Sequence, residues 1–203
     1  MTMILLTGFE PFGGEDRNPS AEIVARLGGS RVGGVDVVGV VLPVVYGGSA
    51  TALLAAIEAH RPDAVISLGV AVGRRAVTPE RVAVNLDDTA AADNAGAVHL
   101  ETPIVDGGPV GRLSTLPVRA IADAIEVAGI PAEVSGTAGA FVCNHVFYRL
   151  MAATEASAIP AGFIHVPGLP GQGDPETDGP GLELGSMVRA IEVALAVVAA
   201  RLA

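Results

Sequence analysis

A single cysteine occurs in the 203 residues, and it stands in the run FVCNHVFY, Phe141 to Tyr148, where an apolar helical segment begins. A thiolate is a potent side-chain nucleophile, and a helix N-terminus lowers a thiol's pKa through the macrodipole and its unpaired N–H groups. Cys143 is expected on that ground to be an acidified nucleophile, although a lone cysteine is as readily a buried core residue. Such a nucleophile needs a base, and there are four histidines. His145 lies two positions past Cys143, where side chains on one helix diverge, so it reads as structural or capping. His60 ends a helix before Arg61 and Pro62, where a contact with the C-terminal dipole accounts for it. His99 falls in an irregular region. His165 ends the strand AGFIHVP, and open α/β sheets place their sites at strand C-terminal ends, which makes it the best base. An acid that orients the imidazole is expected too; Glu80, Asp87, Asp88, Asp174, Glu176 and Asp178 are all eligible.

Aromatic residues are scarce, five Phe and two Tyr, and six of the seven fall in three short segments. Phe9 and Phe12 lie in TGFEPFGG, Phe141, Phe147 and Tyr148 surround the cysteine, and Phe163 precedes His165. Together they suggest a small apolar pocket beside a reactive group. Other chemistries lack their residues. All twelve basic residues are arginine, which excludes Schiff-base chemistry, pyridoxal phosphate and a Walker A lysine. There is no G-x-S-x-G elbow, no H-E-x-x-H and no clustered Cys/His set, so neither a metal nor a cofactor is expected. TGFEPFGG follows a strand but lacks the spacing of a dinucleotide loop.

The elements that must position these residues follow an α/β alternation. MILLTG forms a first strand. Asn18 caps a helix with Pro19 at its first position, which stops after Leu27 at Gly28 and Gly29. Val35 to Leu42 gives a second strand, Ser49 caps a helix running to His60, and DAVISLG returns to the sheet. Arg81 to Leu86 alternates like a half-buried strand, with AVHLETPI pairing nearby as a hairpin. Thr115 opens a helix with Val118, Ile121, Ile125 and Val127 on its apolar side. AEVSG is a short strand, FVCNHVFYRLMAATEAS a helix, AGFIHVP a strand, and Leu182 to Ala203 a closing helix. Val166 to Gly181 is the longest loop.

Length and an apolar half of the composition fit one domain over residues 1–203. A net charge of −10 argues against nucleic acid. One cysteine forms no intrachain disulfide, which fits a reducing cytoplasm. MTMILLTGFE lacks the basic start of a signal peptide, and AIEVALAVVAARLA, with Glu192 and Arg201, reads as a packed helix and not a membrane span.

Three segments together resemble the type I pyroglutamyl peptidases: LLTGFEPFGGEDRNPS, LGVAVGRRAVTPERVAVNLDD, and FVCNHVFY followed by GFIHVPGLP. The resemblance runs over nearly the whole chain. It implies a three-layer α/β/α sandwich around a mixed, mostly parallel twisted sheet. It also implies a cysteine, histidine and glutamate triad, which falls on Cys143, His165 and Glu80 of TPERVAVN. The implied reaction removes an N-terminal pyroglutamyl residue from a peptide through a thioester acyl-enzyme. Phe9, Phe12, Val70, Phe141 and Val142 would contact the lactam ring, and Asn18 would hydrogen-bond it while also capping its helix. The family is often oligomeric, with a homotetramer favoured; the Gly168 to Gly171 loop and the last helix can supply an interface or belong to the core.

Two departures accompany the match. Some relatives carry Gln where Val70 stands, and many carry an arginine shortly after NLDD, where this chain has Thr89, Ala90, Ala91 and Ala92. The nearest cations, Arg74 and Arg75, read as solvated charges or ion-pair partners. The rival expectation is a lactam-binding protein on the same sheet that has lost turnover.

Overall fold

Met3–Phe9 is apolar on both faces of a strand, and both faces are covered. Ile4 and Leu6 enter one core cluster and Leu5 and Phe9 the other, as a strand between two helical layers requires. The computed structural model describes residues 2–157, 159–173 and 179–202. In chain order the elements are β1 (Met3–Phe9), α1 (Pro19–Leu27), β2 (Arg31–Val32), β3 (Val35–Leu42), α2 (Gly48–His60), β4 (Ala64–Val70), β5 (Thr78–Pro79), β6 (Val82–Val84), β7 (Asp87–Thr89), β8 (His99–Thr102), β9 (Gly111–Leu113), α3 (Val118–Val127), α4 (Val142–Thr154), β10 (Ala161–Val166) and α5 (Leu184–Ala199).

The main sheet has the order β2-β3-β1-β4-β10-β5. β3, β1, β4 and β10 are parallel, and short antiparallel strands close the edges. Helices α1, α3 and α5 pack together on one face, α2 and α4 on the other. This is the expected three-layer sandwich on a mixed sheet. The apolar residues of α5 are spent in the core, since Met187, Ile191, Leu195 and Val198 are fully buried. Leu169 of the Gly168 to Gly171 loop is buried as well.

Several local expectations are corrected. Asn18 does cap α1, accepting from the Ser20 amide at 3.0 Å. Ser49, by contrast, caps nothing: α2 starts from Gly47, whose φ of 69° suits glycine, and Ser49 is buried in the first turn. Val127 is 89% exposed and leaves the apolar side of α3 to Val118, Ile121 and Ile125. Thr115 stands ahead of that helix, its hydroxyl accepting from the Ala161 amide at 2.8 Å. AEVSG contributes only isolated bridges, Val77 with Ala132 and Glu80 with Ser135. The central segments pair crosswise, β6 with β9 and β7 with β8. Asn144 of α4 fixes this arrangement, since its side chain is buried and bonds Val84 N, Val84 O and Leu86 O at 2.9 to 3.0 Å. Asp174, Glu176 and Asp178 lie outside the described residues.

Candidate active site

The site assembles at the C-terminal rim of β4 and β10. In register, His165 of β10 stands beside Gly69 of β4 and opposite Thr78 of β5. Side chains of laterally paired residues share one face of a sheet. Gly69 has no side chain, and a Cβ built there would lie 2.8 Å from Cys143 Sγ and 2.9 Å from the Phe163 ring. The sulfur therefore occupies the space that any other residue at position 69 fills, next in line to the imidazole. On the far side His165 Nδ1 lies 2.7 Å from Glu80 Oε1. Glu80 reaches that position because it directly follows β5 and its backbone N–H bonds Phe163 O at 2.9 Å. A carboxylate only accepts, so Nδ1 carries the proton and Nε2 is the nitrogen left unprotonated to act as a base. Gly69→Ala is expected to cut kcat/KM by about 10²-fold through displacement of the sulfur, with the circular dichroism spectrum unchanged; an active Gly69→Ala protein would break this geometry.

Glu80 is fully buried. Burial alone would raise its pKa, but the His165 ring and the Arg74 guanidinium outweigh it and hold the carboxyl below its ordinary value. Arg74 Nη1 lies 2.5 Å from the same oxygen, Oε1, and also bonds Thr78, while Nη2 donates to Thr137 O at 2.8 Å. Arg74 is thus an ion-pair partner, one of the two expectations for it, and Arg75 is exposed. Oε2 has no partner among the described residues; Ser135 stands near enough to favour the charge, yet its hydroxyl is committed to Thr137 O at 3.0 Å.

Cys143 differs from expectation. The residue keeps some surface, but its sulfur is enclosed, and burial together with the Glu80 charge pushes the thiol up to about 12. Arg74 and the residue's own N–H oppose this without reversing it. The helix terminus is real, with Phe141 as N-cap and Cys143 in the first turn of α4. Burial likewise lowers His165 below its ordinary value, against the pull of Glu80. Burial thus favours the uncharged form of both groups, thiol and imidazole. The first N–H groups of α4, at Val142, Cys143 and Asn144, lack intrahelical acceptors, and that of Cys143 lies beside its own sulfur.

Beside the sulfur runs a narrow slot lined by Phe9, Phe12, Asn18, Val44, Val70, Phe141, Val142 and Cys143. Every residue expected to contact a lactam lies on it. Val44 was missed, because nothing in LPVVYGG separates it from an ordinary core valine. Phe12 and Phe141 face each other at 5.9 Å, and Phe9 leans on Phe163 at 6.4 Å. Asn18 Oδ1 accepts from the Ser20 amide and hydroxyl, and Nδ2 donates to Glu10 O at 2.9 Å. One Nδ2 hydrogen is used by neither the cap nor Glu10 O.

The other histidines and acids separate from this line. His145 Nδ1 lies 2.7 Å from Asp87 Oδ2, a structural pairing. His99 approaches the same oxygen at 3.4 Å and stacks on Tyr46 at 4.1 Å. Asp88 is exposed and accepts from the Glu101 amide. Among the described residues no cluster of His, Cys, Asp and Glu can hold a metal ion, and no helix is long and apolar enough to cross a membrane.

A thiol, an imidazole and a buried carboxylate in line, on a strand rim beside N–H donors and a narrow apolar slot, have the layout of a cysteine-type hydrolase working by acyl transfer. The pyroglutamyl peptidase family model matches residues 2–201. A pyrrolidone-carboxylate peptidase of Gloeobacter violaceus is 49% identical over 195 residues, 96% of this chain and 95% of that protein. One from Vibrio vulnificus is 46% identical over 193 residues, 95% and 91% of the two chains. The crystal structure of Bacillus amyloliquefaciens pyroglutamyl peptidase I superimposes with a TM-score of 0.94 at 42% identity, covering 98% of each chain. The chain belongs to the pyroglutamyl peptidase family.

Proposed function

We propose that this protein is a pyroglutamyl peptidase, a cysteine exopeptidase that removes N-terminal pyroglutamate from peptides, with Cys143 as nucleophile, His165 as base and Glu80 as its partner. The observation that carries this assignment of roles is the sulfur lodged over Gly69, in register with an imidazole whose other nitrogen is held by Glu80. Substrate chemistry agrees with the slot. A pyroglutamyl terminus is neutral and cyclic, so it needs apolar walls and an amide partner, which Phe9, Phe12, Val70, Phe141, Val142 and Asn18 offer, and no carboxylate for a free ammonium.

As the thiol adds to the carbonyl beyond the ring, its proton passes to His165 Nε2 and the S–C bond forms. The oxygen's negative charge is met by the N–H groups of the first turn of α4. Collapse breaks the C–N bond, and the leaving amine takes the proton from Nε2. His165 then removes a proton from water as its oxygen attacks the thioester, and returns it to the departing sulfur, releasing pyroglutamate. Glu80 stabilises the imidazolium formed in each half.

The pH profile checks the resting state. His165 titrates below the ordinary imidazole value of 6.5 and stays neutral above it, while Cys143 keeps its proton to about 12. For a pyroglutamyl amide, kcat/KM is expected to rise through an acid limb below pH 6.5 and then stay level to about pH 9. An acid limb above pH 7 would show that the imidazole is normally charged.

Further parts of the reading are one domain over the whole chain, a reducing cytoplasm and a homotetramer. A lone unpaired cysteine supports the compartment. Exposed Val98, Leu100, Val110 and Leu113 on and beside the two small ribbons support self-association. The relatives are named as peptidases, and the rival reading of a lactam binder without turnover finds no support in them. Release of a fluorophore from a pyroglutamyl amide tests the activity directly; a protein that binds pyroglutamate and leaves the amide intact would overturn it.

A further inference from the structure

A second cleft opens from the slot and shares Phe12 and Val70 with it. Its remaining walls are Gly13, Glu15, Arg17, Val72, Gln172 and Gly173, and it holds about 250 Å³. Resting on the peptidase reading above, its position follows from the direction in which the leaving peptide departs. With the ring in the slot and the carbonyl at Cys143, the amine must lie on the His165 side to take its proton. From His165 the chain runs through Val166, which pairs with Val70, to Gly168, which packs near Val72, and on to Gln172 and Gly173. Gln172 closes the arrangement: its carbonyl accepts from Leu169 N at 2.8 Å and its amide donates to Arg17 O at 3.0 Å. It thereby ties the segment after β10 to the loop that carries Phe12.

The charges around the cleft are not balanced. Arg17 is engaged by Glu22 through two bonds of 2.7 and 2.8 Å. Glu15 is exposed and has no cationic partner among the described residues, only a long contact of 3.4 Å from Gln172 Nε2. Asp16 beside it is exposed too. A cationic side chain entering over Val72 would find an apolar wall for its stem and a carboxylate for its head.

We propose that this cleft receives the side chain of the residue that follows pyroglutamate, and that Glu15 biases it toward lysine and arginine. The rim is exposed, so the effect is modest, about three- to fivefold for each charge change. The experiment measures kcat/KM for pyroglutamyl-lysine, pyroglutamyl-alanine and pyroglutamyl-glutamate amides by chromatography of the released amino-acid amides. In the wild-type protein the order is lysine above alanine above glutamate. Glu15→Gln narrows the lysine-to-glutamate ratio by about threefold, Glu15→Arg narrows or inverts it further, and salt near 0.5 M flattens it in the wild type. Equal ratios in the three proteins, or no wild-type preference, overturn the proposal. Failure of the wild-type protein to cleave the alanine substrate refutes the peptidase activity instead.

Discussion

Cys143→Ala is expected to abolish release of a pyroglutamyl-linked fluorophore, with kcat down by about 10⁴-fold or more, since nucleophile and base act as a unit. The reason is geometric as well as chemical. Cys143 supplies the one thiol of the chain, and no other nucleophile lines the slot among the described residues. Alanine fits the space over Gly69 with room to spare, so folding and pyroglutamate binding should survive, and isothermal titration separates the lost chemistry from lost structure. A Cys143→Ala protein with full activity would end the mechanism. The protonated resting thiol adds a second readout: iodoacetamide, which needs thiolate, should react slowly, whereas a pyroglutamyl-shaped electrophile that brings its carbon to His165 and Cys143 together should react much faster.

Glu80→Gln should lower kcat by roughly 10²- to 10⁴-fold with little change in KM. Glutamine keeps the shape and can accept from Nδ1, but it carries no charge to stabilise the imidazolium formed in both half-reactions. The pH profile gives the sign. Glu80 raises the His165 pKa against the larger effect of burial, so removing its charge moves the acid limb of kcat/KM still lower. An acid limb that stays put, or moves up, would mean that Glu80 does not act on His165 electrostatically. Arg74, left facing an uncharged amide, is the cost of the substitution to stability, and thermal melting measures it separately.

Much of this site is legible along the chain because its parts are local. The Cys143 helix start, the His165 strand end and the aromatic segments each have a sequence pattern that survives folding. The acid does not. Glu80 is set apart from Asp87 only by strand order: β5 lies beside β10, which brings Glu80 to His165, while Asp87 sits under α4 against His145. Family resemblance selected it, where spacing left six carboxylates open. The hairpin assignment failed for a related reason. Two alternating segments close in sequence suggest each other as partners, but the pairing is decided by Asn144, whose side chain holds Val84 and Leu86 from 58 to 60 residues away. The acidity expected of the thiol is not found because burial and the Glu80 charge, neither visible from the helix start, push it up. Gly69 is the most telling omission, since a glycine in the middle of LGV gives no sign that another residue's sulfur fills its place.

A thiol that rests protonated also bears on how long the protein lasts in use. Peroxides attack thiolates, and oxidation past the sulfenic stage is not reversed by ordinary thiol reductants. Enclosed against Gly69 and Phe163 and held near a pKa of about 12, Cys143 offers oxidants almost no thiolate between turnovers. On the proposed mechanism His165 draws out its nucleophilicity only while a substrate is in place to be attacked, so the sulfur is shielded from oxidative loss for the rest of the time.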